Sequence, residues 1–232
     1  MDHKCSVKSP TKKTVDYRRW NRIAENQGGV NECVFAGLES FVQVPINQIR
    51  GTDISDGTKM VNLDSTSLYY KCCDLYYNGD RSLGSYPRDG MKVLKNIGMD
   101  EISPETGTVH KIKEYWRNKS VDDVERSLLG VGPCTAMFEW YSGYDGCERF
   151  MEPKKGFSRG YHQTCIEGLD YIDDKLAWIV RNSYGMDFAD MGYYYIKYEY
   201  LEDILLESWS AIYDFSIDQL ADMMHRNYFE QD

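Results

Sequence analysis

NQGGVNECVFAG, residues 26–37, sets a glutamine–glycine pair six positions ahead of a cysteine that opens an apolar run. The run CVFAGLESFVQVPINQIR, residues 33–50, mixes apolar and small residues with no strong breaker before Pro45, which suits a helix entering a core. Its start is expected near Asn31, a residue type suited to helix N-caps. A cysteine at a helix start can be primed as a thiolate by the helix dipole and a neighbouring base, or it can be one more buried thiol. The stretch alone favours neither reading, so the partners have to come from elsewhere in the chain.

The chain has 232 residues, 42% of them hydrophobic, enough for one large domain or two lobes sharing an interface. A formal charge of −10 argues against nucleic acid or an anionic membrane as the main partner. The basic stretch from Lys4 to Lys13 reads as a short solvated arm. No apolar run reaches the length of a membrane span, and no hydrophobic signal segment is expected at the N-terminus. The seven cysteines (5, 33, 72, 73, 134, 147 and 165) show no CxxC pair and no zinc-ligand spacing with histidine, so no metal or cofactor is expected. Reduced thiols in a cytosol-like compartment are the expectation, with secretion left open.

Two more helices are expected. PRDGMKVLKNI, residues 87–97, has proline in its first turn and Gly98 placed to stop it. SVDDVERSLL, residues 120–129, can be capped by Ser120, with acidic residues in its first turn. After Gly132-Pro133 the segments 134–140, 163–170, 176–182 and 192–198 carry aromatic and β-branched residues and read as strands. The class is therefore α+β. The expected organisation is an arm over 1–15, a mainly helical lobe over 16–110, a mainly β lobe over 111–214 and a helical extension over 215–232.

Of the four histidines, His3 and His225 lie in peripheral segments and His110 in a polar loop. His162 stands at the start of an apparent strand. Asn182 ends the apolar run AWIVRN, followed by an aromatic, Tyr184, and a glycine. An asparagine there can accept the imidazole N–H and hold the ring toward a thiol, with Tyr184 shielding the bond. Each also has an ordinary structural explanation: His162 as a satisfied semi-buried histidine, Asn182 as the start of a turn.

Taken together these residues resemble the papain-like cysteine proteases, whose histidine and asparagine follow the cysteine by about 130–150 residues. Here His162 follows Cys33 by 129 residues and Asn182 by 149. The resemblance extends over Asp16-Tyr17-Arg18, Gln27-Gly28, Gly84-Ser85-Tyr86-Pro87, Gly132-Pro133, Gly168, Asn182-Ser183-Tyr184-Gly185 and Gly192-Tyr193. It implies two lobes, a helical one and a β-barrel-like one, with the active-site cleft between them. It also implies Cys33 as nucleophile, His162 as acid and base, Asn182 as orienting group, and Gln27 with the Cys33 N–H as oxyanion donors.

The family's usual approach is glutamine-glycine-x-cysteine-glycine-serine-cysteine-tryptophan. This chain departs from it at Val30, Asn31, Glu32 and Val34, and Tyr184 replaces a tryptophan. Val30 removes a cysteine that the family uses in a disulfide. Asn31 crowds the S1 side, and Glu32 is expected to raise the thiol pKa modestly. No family-type propeptide is expected ahead of Asp16, so control would fall to the arm, an inhibitor or other regulator, or narrow substrate choice.

On the substrate side the resemblance implies an extended peptide pairing with Gly84 and Ser85 by β-augmentation. Tyr86, Pro87, Met137 and Gly160 would line the S2 pocket, with Tyr161 and Tyr184 near the histidine. Glu207, aligned at the S2 floor, would accept a basic side chain. The expected activity is that of an endopeptidase, acting as a monomer. The alternatives are a peptide-binding pseudoprotease on the same fold and a thiol acyltransferase.

Overall fold

The computed structural model describes residues 13–103, 107–152 and 156–213. The expected extension over 215–232, most of the arm, Cys5, His3 and His225 lie outside them.

The chain begins with a short strand, β1 (Val15–Asp16), and three helices follow: α1 (Cys33–Arg50), α2 (Ser65–Tyr76) and α3 (Pro87–Asn96). A small ladder pairs β2 (Met99–Asp100) with β3 (Val109–His110). Then come β4 (Ile112–Asn118), α4 (Val121–Gly130), β5 (Cys134–Tyr141), β6 (Ser158–Ile172), β7 (Lys175–Arg181), β8 (Tyr193–Lys197), the single turn α5 (Leu201–Ile204) and β9 (Leu205–Tyr213). The strands pair antiparallel in the order β4-β9-β5-β6-β7-β8, with β1 joined to β6. Register shifts within β4/β9, β5/β6, β5/β9 and β6/β7 mark bulges, which bend and twist the ladder.

The four strands expected from the sequence all form. Strand β6, however, begins at Ser158, so His162 lies inside the strand and not at its start. Helix α3 carries Pro87 in its first turn, and Gly98, at φ +90, donates its N–H to the Val93 carbonyl to end it. Ser120 caps α4 by accepting the Asp123 N–H, with Asp122 and Asp123 in the first turn.

Helix α1 departs from expectation at its start. Glu32 precedes Cys33 as the capping residue and no side chain caps the helix. The Asn31 amide is used elsewhere, donating to the Ser82 carbonyl at 2.8 Å and tying the approach loop to the segment ahead of α3. Pro45 does not break α1, although it removes the N–H that the Phe41 carbonyl would accept. The Tyr213 hydroxyl, at the end of β9, donates to that carbonyl at 3.0 Å.

Two apolar cores flank the line where α1 meets the sheet. One gathers Phe35, Leu38 and Phe41 of α1 with Leu68, Tyr69 and Met91 of α2 and α3. The other gathers Trp140, Ile166, Trp178 and Tyr194 of the sheet with Val44 of α1. Close approach is possible because Gly37 has no side chain: a Cβ there would lie 3.2 Å from the Thr164 carbonyl oxygen of β6. A Cβ at Gly168 would likewise come within 2.7 Å of the Val15 carbonyl, which explains a glycine where β1 crosses β6.

Candidate active site

The contact of α1 with β6 brings Cys33 and His162 onto the walls of one open cleft of ≈ 470 Å³. Gln27, Asn31 and Gly84 line it from the helical side; Trp140, Asp145, Arg159, Tyr161 and Tyr184 line it from the sheet side. Cys33 is the first residue of α1, so its sulfur lies at the positive end of the helix dipole.

His162 is buried, and its Nε2 lies 2.7 Å from Asn182 Oδ1. The same oxygen accepts the Ser183 N–H at 2.8 Å, which fixes the orientation of the amide. An amide oxygen only accepts, so Nε2 carries the proton and Nδ1 is left as the basic nitrogen. Tyr184 stacks on the imidazole at 4.8 Å and Trp140 meets it edge-on, also at 4.8 Å. This aromatic wall keeps water from the His162–Asn182 bond. Burial pulls the imidazole down to about 4, opposed by the bond to Asn182.

Burial also pushes the Cys33 thiol above its ordinary value. The backbone N–H groups of Gln163, Val34 and Cys33 itself pull it back, and the neighbouring Glu32 carboxylate adds to the rise. The Gln163 side chain spans the same junction, donating to the Val34 carbonyl at 3.1 Å. Gln27 donates its amide to the Val30 carbonyl at 2.8 Å and accepts from the Ser183 hydroxyl. A carboxamide NH₂ has two donors, so one proton remains for an oxyanion.

Behind Cys33 lies a second, polar chamber of ≈ 130 Å³. Glu32, Glu39, Arg181 and Asn182 line it, all buried. Glu32 Oε2, Arg181 Nη1 and Asn182 Nδ2 are buried there without a hydrogen-bond partner among the described residues. Burial raises the Glu32 carboxyl, with Asp64 and Glu25 adding to it and the Thr66 hydroxyl opposing.

The residues expected to bind substrate divide into two groups. Asn31, Gly84, Tyr161 and Tyr184 stand on the cleft wall. Of the others, Tyr86 is 71% exposed, Pro87 is buried at the start of α3, and Met137 and Gly160 lie on the neighbouring strands β5 and β6. Glu207 is the register partner of Met137 and accepts the Trp209 indole N–H at 2.6 Å, with Arg117 at 4.0 Å. It lines a separate depression together with Asn118 and Leu205.

The sequence reading did not single out Trp140, Asp145, Arg159 or Glu39. Trp140 is legible in the sequence only as the last residue of the strand 134–140; the pairing of Phe138 with His162, which brings Trp140 beside the imidazole, comes from the fold. Among the described residues, no cluster of His, Cys, Asp and Glu could hold a metal, and no helix is long and apolar enough to cross a membrane.

Comparison with known proteins follows the same lines. The family model for papain family cysteine proteases matches residues 58–210, a span that includes His162 and Asn182 and begins after Cys33. Among solved structures, xylellain, a cysteine protease from Xylella fastidiosa, superposes with a TM-score of 0.71 at 20% identity, covering 88% of this chain and 87% of that one. Digestive procathepsin L 3 of Tenebrio molitor larval midgut gives 0.68 at 15% identity, covering 89% and 72%. Procathepsin B S9 from Trypanosoma congolense gives 0.69 at 14%, covering 90% and 80%. At these identities the likeness to solved structures is one of fold. No curated protein matches the chain in sequence. Two lobes with a thiol and an imidazole on facing walls, and a family match over most of the described residues, lead to one conclusion: the chain belongs to the papain family of cysteine proteases.

Proposed function

We propose that the chain is an endopeptidase that cleaves extended peptides through a thioester on Cys33. His162 Nδ1 takes the thiol proton, and the sulfur attacks the scissile carbonyl. The oxyanion is held by the Cys33 N–H and the Gln27 amide, and His162 returns the proton to the leaving amine. Water then hydrolyses the thioester by the same relay in reverse. Asn182 keeps the ring turned through its bond to Nε2. The observation that carries this reading is the 2.7 Å His162–Asn182 bond, shielded by Tyr184 and Trp140, in the cleft that Cys33 lines. The peptide would run past Gly84 and Asn31 on one wall and Tyr161 and Tyr184 on the other. A reducing compartment suits a chain in which no disulfide joins the described cysteines.

A second reading, a peptide-binding pseudoprotease, has its own support. Burial raises the thiol and lowers the imidazole, both of which oppose a thiolate–imidazolium pair, and Glu32 disfavours the thiolate further. An epoxide thiol inhibitor separates the two. The peptidase reading expects one inhibitor per chain by intact mass, absent in Cys33→Ala and strongly slowed in His162→Ala. Failure to label the wild-type protein would leave the binding module as the function.

A further inference from the structure

Apart from the reacting pair, the formal charges on the cleft wall are those of Asp145 and Arg159. They form an ion pair at 2.8 Å between Asp145 Oδ2 and Arg159 Nη2. Asp145 Oδ1 is also engaged, accepting the Trp140 indole N–H at 2.9 Å. Both oxygens of Asp145 are therefore committed. Arg159 has five N–H donors, its Nη2 faces Asp145, its guanidinium lies 5.8 Å from the Phe157 ring centroid, and its side chain is 54% exposed, so donors remain open to the cleft. An ion pair this open to solvent adds little stability. Its effect is to hold the guanidinium in place with a donor edge unused.

The position of that edge follows from the aromatic wall. Trp140, from which Asp145 hangs, lies edge-on against His162, and Tyr184 stacks on the same ring. The Tyr184 phenol lies in the field of both Asp145 and Arg159. In the proposed reaction His162 protonates the leaving amine, so the residues following the scissile bond pass along this wall. Gly84 and Asn31 close the opposite side.

We propose that Arg159 makes the cleft selective for a carboxylate on the leaving-group side of the scissile bond. The assignment rests on the peptidase reading for which side of the bond is meant, but the binding preference does not require cleavage. The planar guanidinium offers a carboxylate two parallel donors, a match that an amide or an ammonium lacks. A basic side chain would meet the guanidinium's positive charge, and Asp145, which already holds Arg159 and the Trp140 indole, offers it little compensation. The carboxylate has two sources, an acidic side chain just after the scissile bond or the C-terminus of a short leaving fragment.

The test uses peptides identical up to the scissile bond that carry Glu, Gln or Lys at the first or second position after it, all amidated. A further Gln peptide has a free C-terminus. Cleavage is measured as kcat/KM on the wild type, and binding by anisotropy on Cys33→Ala. The Glu peptide is expected to exceed the Gln peptide about tenfold, or ~1.4 kcal/mol, with Lys below both. Arg159→Ala brings the Glu-to-Gln ratio close to one, and Arg159→Glu inverts the order in favour of Lys. A gain confined to the free C-terminus assigns the site to chain ends. A Glu-to-Gln ratio near one in the wild type with no gain from a free C-terminus, no binding of any peptide, or an order unchanged in Arg159→Glu overturns the proposal. Preferential binding of Glu without cleavage of any peptide retains it and removes the peptidase reading.

Discussion

Glu32 is the residue that most sets this site apart. It stands one position before the thiol, is 6% exposed, and turns an oxygen into the chamber shared with Asn182 and Arg181. A carboxylate there opposes thiolate formation through space, on top of the burial of the sulfur. Glu32→Gln is expected to lower the thiol pKa and speed alkylation of Cys33 by iodoacetamide at neutral pH. The pH dependence of the alkylation rate reads this directly. A profile displaced to higher pH would mean that the carboxylate supports the thiolate through the chamber. The family resemblance pointed to Glu32 as an anomaly, but only the fold could show that it faces inward.

At the scale of elements, the placement of Cys33 beside His162 depends on how closely α1 lies on β6. Gly37 sits one helical turn beyond Cys33, and its missing side chain lets α1 rest against the Thr164 carbonyl, two residues past His162. Gly37→Val is expected to push the helix off the strand and reduce kcat/KM by at least about tenfold, since small misplacements of reacting groups carry large rate penalties. Inhibitor labelling and thermal midpoint measured together separate this from unfolding: labelling should fall much further than the midpoint. The trio Cys33, His162 and Asn182 was legible because reacting groups need fixed partners and the family spacing supplied them. Helix α2, STSLYYKCCDLY, was not, because its aromatic and polar residues fall without a clean helical period and it is held by packing against α1 and α3. The cap of α1 was misjudged at Asn31 because a local propensity gave way to a contact 51 residues distant, the bond to Ser82.

Over the whole molecule, ionisable groups are buried where composition would put them at the surface. Glu167 is fully buried, accepts Asn21 at 2.5 Å and Tyr193 at 3.0 Å, and lies in the field of Arg181. Burial pushes its carboxyl from an ordinary 4.5 up to about 7. The folded state thus holds this proton more tightly than the unfolded chain, so its contribution to stability is complete below about pH 4.5 and is lost as pH rises through about 7. His162 acts in the opposite sense. Its folded value near 4 lies below the ordinary 6.5, so it stabilises above pH 6.5 and that contribution is lost as pH falls toward 4. In thermal melts from pH 4 to 8, Glu167→Gln should shrink the decline of stability between 4.5 and 7, leaving the share that buried Glu39, also raised to about 7, contributes, and keep the loss on the acid side. A variant that retains the wild-type decline would show that Glu167 does not titrate in that window.

The hydroxyl that repairs α1 at Pro45 also sets an order of events. Phe41 and Tyr213 are 172 residues apart in the chain. During synthesis, residues 33–50 leave the ribosome long before residue 213 exists. Until then the helix that carries the thiol has a carbonyl without its donor in the middle. The helix that carries Cys33 therefore gains its full set of hydrogen bonds only when the last described strand, β9, is in place, so completion of the N-terminal helix waits on the far end of the fold.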